Sequence, residues 1–199
     1  MSDALARPIL SVDLDGTVAD SHSRWLEIGR ERYGIKAGVN DLVLYDFWKI
    51  TGPKSKKEFM QIWRELWDEY RKVKPQPGAV AALRELSKTY SVYINSACIG
   101  NFENVKSWLR ENKISYDHFN LALSDDEKLD FKTDLHFEDA PRLIEGFASR
   151  GRNLVVISQP WNMSLHPKLG KYRNVHIARD WNDAKRIAIE RSRLGFSQD

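Results

Sequence analysis

The sequence predicts an α/β fold: a mostly parallel sheet with helices on both faces, and a small helical insert after the first strand. Two observations predict it. Short apolar runs typical of buried strands alternate with helical patterns over most of the chain. The stretch 18–74 instead carries helical patterns with no strand pattern between them. Since strands that alternate with helices are joined by crossover connections, neighbouring strands should run parallel.

Six short segments have the apolar, β-branched character of strands. The first, which reads Pro-Ile-Leu-Ser-Val-Asp, ends in a carboxylate at Asp13. In a parallel sheet, ligands bind beyond the carboxyl ends of the strands, so polar residues at these ends are candidate site residues. The predicted strands are 8–13, 91–96, 119–123, 134–138, 153–157 and 174–178.

Helical patterns fill the segments between most strands, and two more lie in the insert. The second insert helix opens on the capping-box residues Ser55 and Glu58. Pro75 and Pro77 mark the return from the insert. We therefore divide the chain into a core, 1–17 with 75–199, and a helical cap, 18–74. The predicted helices are 20–33, 56–70, 78–88, 102–112, 140–150 and 181–193.

Composition excludes several classes of protein. The 199 residues are 42% hydrophobic, as in globular domains, and the net charge of +3 is too small to predict nucleic-acid binding. The single cysteine, Cys98, cannot form an internal disulfide, and we interpret it as structural. No apolar run is long enough to span a membrane, and no signal peptide is evident. We expect a cytoplasmic protein, and a homodimer is compatible with the sequence.

The segment Asp13-Leu-Asp15-Gly16-Thr17, directly after the first strand, predicts phosphoryl-transfer chemistry. The first carboxylate can attack phosphorus, and the second can donate a proton to the leaving oxygen and later activate water. Gly16 permits the tight turn that places both. The alternative is an ordinary Asp-Gly turn after a strand.

This pattern resembles the first motif of the haloacid dehalogenase-like superfamily of phosphohydrolases. The resemblance implies a Rossmann-like core and, in one subclass, a helical cap inserted directly after the motif. It also implies three further motifs in order. Ser96, at the end of the strand 91–96, fits the second motif, a hydroxyl that holds a phosphoryl oxygen. A hydroxyl that only caps a helix is the alternative.

The third motif should be a lysine that balances the charges of the phosphate and the nucleophile. We prefer Lys106, because its location in a helix after the second motif is similar to that in the 5'(3')-deoxyribonucleotidase branch of the superfamily. Lys128 and Lys132 remain rivals, and we also expect Lys128 to contact the substrate.

The fourth motif should be an acidic pair at a strand end, which Glu138 and Asp139 supply. Adjacent carboxylates that face Asp13 are costly without a cation, and Mg²⁺ prefers such oxygen ligands. The resemblance implies that Asp13, the backbone carbonyl of Asp15 and Asp139 bind the ion directly. It implies that Glu138 lies next to these ligands and orients the groups around the ion. A surface acidic pair that caps a helix is the alternative.

Three features resemble the deoxyribonucleotidase branch and predict a nucleoside monophosphate as substrate. The first is the cap segment Tyr45-Asp46-Phe47-Trp48, whose rings, above all those of Phe47 and Trp48, could stack on a base. The others are the close spacing of the lysines and the acidic pair, and the Gln-Pro-Trp-Asn segment within 156–162. We expect Trp63 and Trp67 to pack the cap helices. The alternatives are a phosphatase of sugar phosphates or another small ester, a polynucleotide 3'-phosphatase, and a non-catalytic binding protein with the same fold.

Overall fold

A single sheet of six parallel strands organises the chain, in the order β3-β2-β1-β4-β5-β6. The computed structural model describes residues 6–51, 55–97 and 100–195, so Cys98 lies outside the described residues. The strands are β1 (Ile9–Val12), β2 (Ser91–Ser96), β3 (His118–Leu121), β4 (Leu135–Glu138), β5 (Leu154–Ile157) and β6 (Val175–Ala178).

Helices connect the strands, and four α-helices of the described residues lie between β1 and β2. Over the described residues, the α-helices are α1 (Ser21–Tyr33), α2 (Trp48–Thr51), α3 (Lys56–Asp68), α4 (Ala79–Leu86), α5 (Phe102–Glu111), α6 (Asp125–Asp130), α7 (Pro141–Ser149), α8 (His166–Leu169) and α9 (Trp181–Leu194).

The helices cover both faces of the sheet, as the residues of β5 show. Val155 and Ile157 belong to the hydrophobic cluster that includes α4 and α9, whereas Leu154 and Val156 belong to a second cluster built around α7. Successive side chains of a strand point to opposite faces. A strand buried on both sides must therefore be apolar throughout, which explains its sequence Leu-Val-Val-Ile.

The chain reverses its direction across the sheet between β1 and β4. It passes from β1 to β2 and β3 on one side, and then returns to place β4 on the other side of β1. The crevice at the carboxyl ends of two such strands is the usual ligand site of an open parallel sheet. The backbone N–H of Asp13 donates to the carbonyl of Phe137 at 3.0 Å and holds the two strand ends together.

The predicted fold class is confirmed, and every predicted strand and helix overlaps an observed one. Three short helices, α2, α6 and α8, were not predicted. In the insert, Trp25, Leu66 and Trp67 share one hydrophobic cluster with the strands of the sheet. The division into a core and a separate cap stays a prediction.

Candidate active site

The loop after β1 brings the first motif against the end of β4. Gly16 has a φ of +83°, a conformation that L side chains rarely adopt, and a Cβ there would lie 2.3 Å from Oδ2 of Asp139. The side-chain amides of Gln159 and Gln76 donate to the Gly16 carbonyl at 2.7 and 3.3 Å. Only glycine therefore allows this close approach of the two loops.

Lys128 is the cation that lies against the first carboxylate of the motif. Its ammonium group is 2.6 Å from Oδ1 of Asp13 and 3.1 Å from Oε2 of Glu138, and the residue is 3% exposed. Burial disfavours the charged lysine, but the charges of Asp13 and Glu138 outweigh it and raise the pKa of Lys128 above its usual value. Burial likewise raises the pKa of Asp13, although Lys128 opposes that shift.

The short helix α6 positions this lysine. Ser124 caps the helix, since its hydroxyl oxygen accepts from the backbone N–H of Glu127 at 3.2 Å. Leu129 packs against Gly146 of α7, where a Cβ would lie only 2.7 Å from its Cδ2. The Ser-x-x-Glu pattern at 124–127 is the sequence signal that could have indicated this helix.

Our preference for Lys106 as the lysine beside the nucleophile is wrong. Its ammonium group lies 3.4 Å from the Glu103 carboxylate and 3.9 Å from the ring centroid of Phe102, and 42% of its side chain is exposed. Lys132 is also exposed. Lys128, one of the two rivals, is the lysine that the fold brings to Asp13.

Glu138 and Asp139 complete a buried acidic cluster with Asp13. One oxygen from each of the three lies within 4.8 Å of the others. Burial and the neighbouring carboxylates together raise the pKa of Glu138 to about 7 and that of Asp139 well above its usual value, although Lys128 opposes both shifts. Lys128 supplies one positive charge beside these three carboxylates. A divalent cation with oxygen ligands, such as Mg²⁺, fits this arrangement.

The two acidic residues are held by different groups. Oε1 of Glu138 accepts from the backbone N–H groups of Asp139 and Ala140, both at 3.0 Å. Oδ1 of Asp139 accepts from the Thr17 hydroxyl, and Oδ2 accepts from the Trp161 indole, both at 2.9 Å. Both carboxylates are thus fixed in orientation by the protein itself.

The Gln-Pro-Trp-Asn segment supports the acidic cluster. Besides Trp161, the side-chain amide of Asn162 donates to the backbone carbonyl of Asp139 at 2.9 Å, and Gln159 holds Gly16. The resemblance indicated this segment but not its role, since a single sequence carries no signal for contacts between distant loops.

Asp15, the second carboxylate of the motif, is suited to proton transfer. Burial raises its pKa to about 6, although the Ser21 hydroxyl, Lys128 and the Trp67 indole act in the opposite direction. A carboxyl group with such a pKa can both give and accept a proton near neutral pH.

A cavity of about 770 Å³ opens over these groups. Ser96, 1% exposed at the carboxyl end of β2, lines it together with Asp13 and Lys128. The insert contributes six apolar or aromatic residues to the cavity wall, which are Leu44, Tyr45, Phe47, Phe59, Met60 and Trp63. It also contributes four polar or charged residues, which are His22, Asp46, Lys49 and Lys56.

The two aromatic residues predicted to contact substrate differ in position. Phe47 lines the cavity but is 1% exposed, because its ring packs against Trp25 and Phe59 with centroids 4.8 and 5.0 Å away. Trp48 begins α2 and is not among the described residues that line the cavity.

Tyr45, from the same aromatic segment of the insert, also lines the cavity and is 46% exposed. Desolvation raises the pKa of its hydroxyl, and the charges of Asp139, Glu138 and Asp13 raise it further, whereas Lys128 acts in the opposite direction.

The parallel sheet, with its acidic site at the switch point, is the fold of haloacid dehalogenase-like hydrolases. The chain is similar to a haloacid dehalogenase-like hydrolase from Streptococcus pneumoniae, with a TM-score of 0.58 and 16% identity over 93% of this chain and 99% of that one. It is also similar to a haloacid dehalogenase-like hydrolase from Bacillus subtilis whose structure contains magnesium, with a TM-score of 0.55 and 14% identity over 92% and 99%.

Residues 7–193 match the family described as 5' nucleotidase, deoxy (pyrimidine), cytosolic type C protein, and the chain belongs to this family. A 5'(3')-deoxyribonucleotidase of Clostridium acetobutylicum is 26% identical over 182 residues, which are 91% of this chain and 94% of that protein. The chain is accordingly a phosphatase of the nucleotidase type, and the alternative of a non-catalytic binding protein is wrong. Over the described residues, the helices are too short or too polar to cross a bilayer.

Proposed function

We propose that the chain is a Mg²⁺-dependent phosphomonoesterase that acts on nucleoside monophosphates through a phosphoryl group carried on Asp13. The observation that carries the proposal is the pairing of Asp13 with Lys128 beside two further buried carboxylates, at the base of a cavity with an aromatic wall. The charge of Lys128 favours the ionised form of Asp13, which a nucleophile requires.

The reaction would have two steps. In the first, a carboxylate oxygen of Asp13 bonds to phosphorus as the ester P–O bond breaks, and Asp15 gives its proton to the leaving oxygen. In the second, Asp15 takes a proton from water, whose oxygen attacks phosphorus and releases inorganic phosphate from Asp13. The pKa of about 6 for Asp15 supports both roles. Ser96 and Lys128, which line the same cavity, would hold the phosphoryl oxygens.

Asp13, Asp139 and the backbone carbonyl of Asp15 would hold Mg²⁺, with Glu138 behind them. When bound, the ion would neutralise carboxylate and phosphoryl charge. The raised pKa values of Asp139 and Glu138 support this assignment, because burial and the neighbouring carboxylates disfavour the ionised forms and a bound cation would favour them. The magnesium in the Bacillus subtilis structure is consistent with it.

The nucleotide specificity is supported by the family and by the name of the Clostridium acetobutylicum relative. The aromatic wall gives it a physical basis, since aromatic side chains stack on any base. Phe47 lies in that wall, whereas the position of Trp48 gives it no such support.

The test is a phosphate-release assay, with and without Mg²⁺, across ribo- and deoxyribonucleoside 5'- and 3'-monophosphates, sugar phosphates and p-nitrophenyl phosphate. We expect Mg²⁺-dependent release that is fastest for nucleotides and absent in Asp13→Asn. Faster release from sugar phosphates would reject the substrate class, and equal release in the presence of a chelator would reject the metal.

A further inference from the structure

A buried histidine lies between the aromatic wall of the cavity and the acidic cluster. His22, the second residue of α1, is 3% exposed, and burial lowers its pKa to about 3, so the ring is neutral. Its ring stacks on the Trp161 indole with the centroids 3.8 Å apart and the planes at 19°. None of the catalytic roles proposed above uses this residue.

Two further aromatic rings of the insert contact the His22 ring. Trp63 meets it edge-on at 5.3 Å and 85°, and Phe47 meets it at 5.5 Å and 54°. All three residues line the cavity. The imidazole is therefore held on one side by the wall and on the other by Trp161.

Trp161 transmits this packing to Asp139. Its indole N–H donates to Oδ2 of that carboxylate at 2.9 Å, and a hydrogen bond weakens steeply when its donor tilts. His22 is also close to the same loop, since a Cβ on Gly16 would lie 3.0 Å from its Cε1 and 2.3 Å from Oδ2 of Asp139. The stacked ring thus limits how far the indole can move.

Among the described residues, His22 is held by contacts of its ring. Nδ1 of His22 is buried, and no hydrogen-bond partner for it occurs among the described residues. A buried polar atom left without a partner destabilises the fold. A phenylalanine ring would keep the stacking without that penalty.

We propose that His22 is a positioning residue for Asp139, acting through Trp161, and that it links the wall of the cavity to the metal-binding carboxylate. The inference rests on the proposed function, because it takes Asp139 as a ligand of Mg²⁺. Residues that orient a metal ligand through hydrogen bonds typically affect metal affinity by about 10–100-fold.

The experiment is calorimetric titration of the full chain with MgCl₂, without substrate, for six proteins besides the wild type. They are His22→Ala, His22→Leu, His22→Phe, Trp161→Phe, the double variant His22→Leu/Trp161→Phe, and the control Trp108→Phe. The control also removes a buried indole donor, which bonds the Val73 carbonyl at 2.8 Å. Circular dichroism and thermal unfolding establish that each variant is folded. His22→Leu keeps most of the volume if His22→Ala does not fold.

We expect His22→Leu and Trp161→Phe each to weaken Mg²⁺ binding about tenfold or more. His22→Phe should stay within about twofold of the wild type, because its ring still stacks. The double variant should bind as Trp161→Phe does, since the histidine acts through the indole. Trp108→Phe should bind like the wild type.

Three results would overturn the inference. A further loss in the double variant would show that His22 acts independently of Trp161. A His22→Phe variant as weak as His22→Leu would assign the effect to the ring nitrogens. Wild-type affinity for Mg²⁺ in every folded variant would show that His22 contributes only to the packing of the fold. A wild-type protein that binds no Mg²⁺ would instead reject the proposed metal site, and this inference with it.

Discussion

Replacing Lys128 by methionine removes the one cation that the described residues place against Asp13, while it keeps most of the apolar stem. Two charge-assisted contacts are lost, at 2.6 Å to Asp13 and 3.1 Å to Glu138. Each contributes about 1.5–3 kcal/mol, and removing one partner of a buried pair costs about 3–5 kcal/mol. We expect the free energy of unfolding, measured without Mg²⁺, to fall by about 3–5 kcal/mol. We also expect kcat/KM to fall by about 10²–10³, as when a preorganised electrostatic group is removed.

Lys106→Met is the matched control. That lysine pairs with Glu103 at 3.4 Å on an exposed surface, where ion pairs contribute about 0–1 kcal/mol. Its kcat/KM should stay within about twofold of the wild type. The measurements are steady-state phosphate release from a nucleoside monophosphate at saturating Mg²⁺, and urea unfolding of both variants. If Lys106→Met lost more activity than Lys128→Met, the assignment of the charge-balancing lysine from the structure would be refuted.

Three further predictions concern the carboxylates and the cavity wall. Asp13→Asn should fold normally and release no phosphate, because an amide is a far poorer nucleophile; turnover by the pure variant would contradict this. Asp139→Asn should raise the Mg²⁺ concentration needed for half-maximal activity more than Glu138→Gln does. A larger rise for Glu138→Gln would make Glu138, and not Asp139, the direct ligand. Phe47→Ala should unfold at a lower urea concentration, because the loss of a buried aromatic ring lowers the free energy of unfolding by about 3–5 kcal/mol. If the ring contacts the base, kcat/KM should also fall further for a nucleotide than for p-nitrophenyl phosphate, by a factor that corresponds to about 1–3 kcal/mol of stacking free energy.

The residues at strand ends could be predicted because two simple rules place them. Apolar runs locate the strands, and parallel pairing brings the strand ends to one edge of the sheet. Asp13, Ser96, Glu138 and Asp139 followed from these rules and from the resemblance, and the fold brings all four to that edge.

The side chains that the sequence misplaced depend on packing instead. Lys128 lies on a helix of six residues, too short for hydrophobic periodicity to reveal. The place of Tyr45 in the cavity wall, and the burial of Phe47 among other rings, depend on contacts between distant segments. No local pattern encodes such contacts.

The contact between Leu129 and Gly146 shows how far the requirements of the reaction extend into the fold. Leu129 follows the active-site lysine and belongs to the smaller hydrophobic cluster around α7, on the opposite face from the main cluster. A Cβ at 146 would lie 2.7 Å from Cδ2 of Leu129, so the leucine side chain would have to shift. Leu129 is the neighbour of Lys128 on α6, so a residue that does not line the cavity is linked by packing to the lysine beside the nucleophile. We expect a substitution at this glycine to lower activity while every residue that lines the cavity stays unchanged.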